Sequence, residues 1–156
     1  MGSSKLIRLY AAIAGDLFHY GHISFFQKAR ELGDYLIIGV HSDKTVSDYK
    51  RTPVIKEYER YEMIKNCRLV DEVIEDAPYE TTEEFIVKNK IDLVVSGDDH
   101  VFASFHKDPI RMGIMKYVQY THSVSSTSII LRALSQYHKM IDVSKESREK
   151  IINRAL

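Results

Sequence analysis

The sequence predicts an α/β protein in which one domain is built on a doubly wound parallel sheet. Short apolar runs, typical of buried strands, alternate along the chain with segments whose apolar residues recur at helical spacing. This alternation indicates right-handed βαβ crossovers, which place helices on both faces of a parallel sheet. The length of 156 residues fits one domain, and a hydrophobic fraction of 44% is sufficient for an ordinary core.

The predicted strands are short, and the first ends at a clear turn signal. It covers residues 6–14 and stops at Gly15-Asp16, a pair that favours a turn. The second, at 35–40, is rich in β-branched residues and is typical of a strand buried on both faces. Three further strands are predicted at 72–74, 93–95 and 115–120.

Helices are predicted between these strands. The first covers residues 23–32, with Ile23, Phe26 and Ala29 on one face and Gly33 as its C-cap. Other helices are predicted at 57–66, 82–89 and 127–134, with a loop or short helix at 42–53 and a polar terminal helix at 139–156. We therefore divide the chain into a main domain at 5–136 and a helical extension at 137–156.

Composition narrows the classes of function. Lys plus Arg and Asp plus Glu both number 22, so the net charge is zero and no broad nucleic-acid surface is expected. The single cysteine, Cys67, excludes an intrachain disulfide, and we expect a core residue rather than a catalytic thiol. No apolar run is long enough for a membrane span and no signal peptide is apparent, so a cytoplasmic location is the default expectation.

Polar clusters follow three predicted strands, at 16–22, 41–43 and 97–100. In doubly wound sheets, ligands bind outside the carboxyl ends of the strands, so these clusters predict a nucleotide-sized site. The strongest of them contains His19-Tyr20-Gly21-His22 at a helix start. Two histidines three apart can direct their rings at one spot, Gly21 permits a close backbone approach, and the helix N-terminus adds free N–H groups.

This arrangement predicts a site for phosphate oxygens, where imidazole N–H groups stabilise the charge that develops in phosphoryl-type transfer. The histidines could instead cap a turn without touching a ligand, or bind zinc. A zinc pair on one helix face is more often spaced four apart with further ligands, and no matching cluster is evident, so no protein-held metal site is predicted.

Residues 15–22, which read GDLFHYGH, resemble the signature loop of the cytidylyltransferases, which belong to the HxGH nucleotidyltransferase superfamily with its Rossmann-like fold. The resemblance continues through 33–43, 59–61, 70–73 and 97–99 and covers roughly 6–134. The segments 66–73 and 77–82 are most similar to the choline-phosphate and ethanolamine-phosphate enzymes. The resemblance implies transfer of CMP from CTP to a phosphorylated amino alcohol, or a phosphonate analogue, with release of pyrophosphate.

The resemblance also implies roles for individual residues. His19, His22 and Lys50 would be catalytic, and Asp43 and Arg60 would contact the substrate. The nucleotide would be bound by Ala14, Gly15, Asp16, Phe18, Gly21, Gly97, Asp98, Asp99, Thr121, Ser125, Ser126 and Thr127. The implied cofactor is Mg²⁺, bound with the triphosphate, and the implied assembly is a homodimer.

The resemblance further implies that Asp16 orients the site or helps with magnesium. Other residues also have ordinary structural explanations. Lys50 and Arg51 could be solvated loop charges, Arg60 an exposed helix residue, and Asp98-Asp99 a common turn pair after a strand.

Two positions depart from the family pattern. Ile13 stands where the signature loop Gly-x-Phe-Asp has its first glycine, and Gly15 stands at the aromatic position. The later signature Arg-Thr-Glu-Gly-Ile-Ser-Thr aligns with residues 120–126, so Tyr120 replaces the arginine and its bidentate phosphate contact is lost. Triphosphate binding should weaken unless another cation takes over, and the candidates are Arg111, Lys116 and His122.

Two rival functions remain open. The first keeps the fold and the chemistry but changes the substrates, to glycerol-3-phosphate with CTP or to adenylyl transfer from ATP. The second is a nucleotide-binding protein that has lost turnover, and the two departures motivate it.

Overall fold

The computed structural model describes residues 5–100 and 104–141. The strands of this part of the chain are β1 (Arg8–Ile13), β2 (Tyr35–Val40), β3 (Glu72–Glu75), β4 (Leu93–Gly97) and β5 (Met115–Val118). Its helices are α1 (Tyr20–Arg30), α2 (Asp43–Tyr49), α3 (Glu57–Lys65), α4 (Glu83–Lys88), α5 (Lys107–Arg111) and α6 (Ser126–Ile141). Two short 3₁₀ turns lie at Asp98–His100 and Ser104–His106.

The strands form one parallel sheet in the order β3-β2-β1-β4-β5, which confirms the predicted α/β fold. The chain first builds β2 and β3 on one side of β1 and then returns to build β4 and β5 on the other side. The strand order therefore reverses between β1 and β4. Strand β1 pairs with β2 as far as Ile13 but with β4 only at Leu9 and Tyr10. The carboxyl ends of β1 and β4 therefore separate, and a crevice opens at the place where doubly wound sheets bind ligands.

Alternate residues of β1 and β2 point to opposite faces of the sheet and build two apolar clusters. The larger cluster contains Leu9, Leu36 and Ile38 under α1 and α3, and Cys67 packs against it as expected. The smaller cluster lies on the opposite face, where Tyr10 packs beside α4. Burial on both faces explains why the central strands are nearly continuous apolar runs.

The helices differ from the prediction at several boundaries. Segment 42–53 contains helix α2, which Ser42 caps by accepting a hydrogen bond from the Thr45 N–H. Helix α1 ends at Arg30 with Glu31 as its C-cap, so Gly33 is not the cap. A Cβ at Gly33 would lie 2.9 Å from side-chain atoms of Ile7 and Leu9, so close packing explains this glycine.

The C-terminal region is one continuous helix where the sequence predicted two. Helix α6 runs from Ser126 to Ile141 and passes through the predicted boundary between 136 and 137. The rest of the predicted terminal helix, at 142–156, lies outside the described residues. No helix within the described part of the chain is long and apolar enough to cross a membrane.

Candidate active site

A cavity of about 530 Å³ opens at the carboxyl ends of β1 and β4. It lies between the β1–α1 loop, the end of α2, the end of β4 and the start of α6. The site residues predicted from the sequence that line it are Ala14, Gly15, Asp16, His19, Gly21, His22, Lys50, Gly97, Asp99, Thr121, Ser125, Ser126 and Thr127. The four that do not line it are Phe18, Asp43, Arg60 and Asp98.

The two histidines stand side by side at the start of α1, with ring centroids 4.1 Å apart. The Gly21 N–H donates to His19 Nδ1 at 3.0 Å, and the His19 N–H donates to His22 Nδ1 at 3.2 Å. A backbone N–H can only donate, so each Nδ1 must be the unprotonated nitrogen and each Nε2 must carry the proton. Both rings are thus set as neutral imidazoles whose free donor is Nε2–H.

The histidines cap helix α1, but this capping uses only one nitrogen of each ring. The capping also occupies backbone N–H groups that the sequence predicted to be free for phosphate. The N–H groups of Gly21 and His19 serve the rings, and the His22 N–H donates to the His19 carbonyl at 2.9 Å. Any phosphate at this helix start would therefore meet imidazole donors in place of these N–H groups.

Electrostatics keep both rings neutral. Burial is the largest effect lowering the pKa of His22 to about 3, followed by the neighbouring His19 and Lys50. Burial and Lys50 also lower the pKa of His19 below its usual range. Both side chains are therefore neutral hydrogen-bond donors at neutral pH. Phe18 stacks on His22 with ring centroids 5.3 Å apart, so it acts behind the histidine and not on the cavity surface.

The glycine of the motif has a steric role. A Cβ at Gly21 would lie 2.8 Å from Cε1 of His19, so only glycine lets this ring fold back over the helix start. The turn before the motif contains Gly15 at φ +69° and Leu17 at φ 49°, both left-handed. The glycine at the aromatic position of the signature is thus used for backbone conformation, while Ile13 lines the cavity at the end of β1.

Asp16 connects this turn to the loop that follows Lys50. Its Oδ1 accepts the Val54 and Ile55 N–H groups at 3.0 Å each, and its Oδ2 pairs with Arg51 Nη1 at 2.7 Å. Burial would raise the pKa of Asp16, but these donors outweigh it and the pKa is lowered. Both oxygens are engaged, so the geometry supports the orienting role of Asp16 and leaves little of its carboxylate for magnesium.

The start of α6 is fastened to the same turn. Ser126 Oγ donates to the Asp16 carbonyl at 2.6 Å, and Thr121 Oγ1 donates to Ser24 Oγ of α1 at 3.0 Å. The β5–α6 segment therefore forms part of the cavity wall beside the turn that contains Asp16. Asp98 works similarly, because its Oδ1 accepts the Tyr120 N–H at 2.8 Å and fixes that residue beside Gly97.

The prediction that Arg60 and Asp43 contact substrate is not supported by their placement. Arg60 is fully buried and donates to the carbonyl oxygens of Ala14, His41 (2.8 Å) and Ile55 (3.1 Å). Its Nη2 binds Asp43 Oδ1 at 2.9 Å. Arg60 is therefore neither a surface helix residue nor a cavity residue. It hydrogen-bonds the backbone just after β1 and β2 and so holds the ends of these strands in place.

Sequence reasoning missed an aromatic wall of the cavity. The rings of His41, Tyr49, Tyr79 and Phe105 form a chain of neighbours, with centroids 5.8 Å apart for His41–Tyr49, 4.8 Å for Tyr49–Tyr79 and 5.0 Å for Tyr79–Phe105. The His41 ring is held by a hydrogen bond between its Nδ1 and the Ala77 carbonyl at 2.9 Å. Of these residues, His41 belongs to the polar cluster 41–43 that the sequence placed at the site, whereas Tyr49, Tyr79 and Phe105 come from three other segments that carried no such signal.

Comparisons with known proteins agree with this architecture. The Cytidylyltransferase-like family model matches residues 16–140. The chain is 38% identical over 138 residues to a probable ethanolamine-phosphate cytidylyltransferase of Encephalitozoon cuniculi, covering 86% of this chain and 43% of that protein. It is 36% identical over 138 residues to human choline-phosphate cytidylyltransferase A, covering 84% of this chain and 37% of that protein.

A solved structure shares the fold. The lipopolysaccharide core biosynthesis protein from Thermoplasma volcanium superposes with a TM-score of 0.62 at 27% identity, over 75% of this chain and 98% of that one. The chain thus spans less than half the length of the two cytidylyltransferases above but nearly all of this neighbour. With the family model matching most of the sequence, the chain belongs to the cytidylyltransferase-like family.

Proposed function

We propose that this chain transfers CMP from CTP to a phosphorylated amino alcohol, foremost phosphoethanolamine, and releases pyrophosphate. The observation that carries the proposal is the pair of neutral histidines at the cavity, each with Nδ1 hydrogen-bonded and with no partner for Nε2–H among the described residues. The names of the relatives supply the nucleotide and the acceptor class: ethanolamine-phosphate and choline-phosphate cytidylyltransferases.

The reaction needs no nucleophile from the protein. A phosphate oxygen of the acceptor attacks the α-phosphorus of CTP and forms the new P–O bond. The bond between the α-phosphorus and the bridging oxygen breaks, and its electron pair leaves with pyrophosphate. The Nε2–H groups of His19 and His22 donate to the oxygens on which charge develops, and Lys50 offsets that charge. Positioning of two bound substrates supplies much of the rate.

Magnesium is part of the proposal as a companion of the triphosphate, whose charge it would offset. Among the described residues, no group of three or more His, Cys, Asp or Glu side chains could hold a metal ion. With Asp16 occupied by backbone donors and Arg51, phosphate oxygens and water are the natural ligands. This fits a cation that usually keeps several waters and binds through substrate phosphates.

The aromatic wall supports an acceptor with a cationic amino group. Tyr49 and Tyr79 line the cavity together with Phe105 and His41, and the two tyrosine rings lie against each other. Aromatic faces attract ammonium groups through their quadrupole, by about 0.5–2 kcal/mol per contact. Glycerol-3-phosphate has no such group, so the wall favours an amino alcohol over the rival acceptor. We further propose that the protein is cytoplasmic and forms a homodimer. The dimer is proposed because of the resemblance to the family.

The test is pyrophosphate release with magnesium, pairing CTP or ATP with phosphoethanolamine, phosphocholine, glycerol-3-phosphate or 2-aminoethylphosphonate. Release with CTP and an amino-alcohol phosphate is expected, and His22→Ala should abolish it. His138→Ala, on the exposed face of α6, is the matched control and should retain full activity. Release with ATP alone would overturn the base assignment. CTP binding without any release would support a binding protein that has lost turnover.

A further inference from the structure

We propose that Arg51 makes the guanidinium contact to the triphosphate that the family signature assigns to an arginine at the position of Tyr120. The inference rests on the proposed function, because it concerns nucleotide binding in the same cavity. It also explains how the chain can lack the signature arginine and keep a triphosphate site.

The three cations suggested from the sequence do not line the cavity. Arg111 is engaged by Glu83 at 2.5 Å and Asp108 at 3.4 Å near α4 and α5. Lys116 is exposed on β5, and His122 is exposed with its ring against Tyr120. None of the three is among the lining residues, so the compensating charge must come from elsewhere.

The charge balance of the cavity points to Arg51. Of the described lining residues, Lys50 and Arg51 are the permanent cations, and Asp16 and Asp99 carry the carboxylates. The histidines add no positive charge, because their lowered pKa values keep them neutral. Without Arg51, carboxylates would outnumber permanent cations in a cavity that binds a highly anionic ligand.

Arg51 lies in the same cavity as Tyr120, the position of the missing arginine. Asp16 Oδ2 holds its guanidinium at 2.7 Å, and the carbonyl of the same Asp16 accepts Ser126 Oγ at 2.6 Å. Asp16 thus contacts both the guanidinium and the start of α6, where the signature hydroxyls lie.

The guanidinium still has donors to offer. Its two hydrogen bonds, to Asp16 and to the Thr52 carbonyl at 3.0 Å, both use Nη1. Among the described residues, Nε and Nη2 have no partner, and the side chain remains about one-third exposed (34%). An arginine held at one nitrogen presents its other N–H groups in a fixed orientation, which suits bidentate binding of phosphate.

The experiment compares the Mg²⁺-dependent affinity for CTP, CDP and CMP by isothermal titration calorimetry. We expect Arg51→Gln to weaken CTP binding roughly 10- to 100-fold, the effect of losing charge-assisted hydrogen bonds. The loss should shrink for CDP and stay within about twofold for CMP. Lys44→Gln is the matched control, since Lys44 is an exposed α2 cation paired with Asp48 outside the cavity.

The double variant Arg51→Gln/Tyr120→Arg should regain most of the lost CTP affinity, and Arg51→Lys should fall between parent and Arg51→Gln. An equal loss for CTP, CDP and CMP would mean that Arg51 only holds Asp16 in place, and would overturn the inference. So would unchanged CTP affinity, or a double variant no tighter than Arg51→Gln. Pyrophosphate release by the parent separates these outcomes from failure of the proposed function, in which the parent releases no pyrophosphate whether or not it binds CTP.

Discussion

Replacing Arg60 tests whether its guanidinium contacts substrate or stabilises the backbone behind the cavity. The side chain is fully buried and binds four acceptors, which are the carbonyls of Ala14, His41 and Ile55 and the carboxylate of Asp43. Arg60→Ala would leave these acceptors without a donor in the interior. Breaking a buried charged pair from one side costs about 3–5 kcal/mol, a large part of the roughly 5–15 kcal/mol that stabilises a typical domain.

The assay is urea unfolding followed by circular dichroism, together with thermal melting. We expect Arg60→Ala to lower Tm by roughly 10 °C and to shift the urea midpoint to match. Asp43→Asn keeps an oxygen that can accept from Arg60 Nη2, so it should destabilise the protein less than Arg60→Ala while leaving the buried guanidinium without its carboxylate. An Arg60→Ala protein with an unchanged midpoint and a raised KM for the acceptor alone would refute the structural reasoning and restore the sequence-based assignment.

Three further predictions concern other buried or cavity groups. The pKa of His22 is lowered to about 3 in the folded protein, so between pH 6.5 and pH 3 the unfolded chain binds more protons at this residue than the folded chain does. The free energy of unfolding therefore falls as the pH is lowered through this range. His22→Gln should make urea midpoints fall less steeply over that range; equal slopes would contradict the lowered pKa. Tyr10→Phe should raise Tm by about 2–4 °C, because its buried hydroxyl has no hydrogen-bond partner among the residues that the structure describes; a lower Tm would show that the hydroxyl is satisfied. Tyr79→Leu should raise KM for phosphoethanolamine about 3- to 10-fold with little change for CTP, whereas equal changes for both would disprove a separate acceptor wall.

The sequence predicts the sheet well because its strands are buried on both faces and so read as short apolar runs. It also predicts the edge where the site lies, since polar residues cluster after those runs. Periodicity cannot predict α5, a helix of only five residues that contains Pro109. Nor can it tell where a long side chain reaches, so the burial of Arg60 and the cavity position of Arg51 depend on loops that only tertiary packing brings together.

Two buried charged residues, Asp16 and Arg60, hold in place the two loops that bear the proposed catalytic groups. Asp16, in the loop before His19, accepts N–H groups from the segment after Lys50, while Arg60 of α3 donates to the carbonyl of Ala14 beside Asp16. Both charged groups bind backbone groups and one side chain of opposite charge each, Arg51 for Asp16 and Asp43 for Arg60. The two histidines that line the cavity, by contrast, use only Nδ1 for the backbone, so their Nε2–H groups can donate to a ligand. Substitutions should therefore divide into two kinds: changes at Asp16 or Arg60 lower stability and activity together, whereas changes at His19, His22 or Lys50 lower activity in a protein that stays folded.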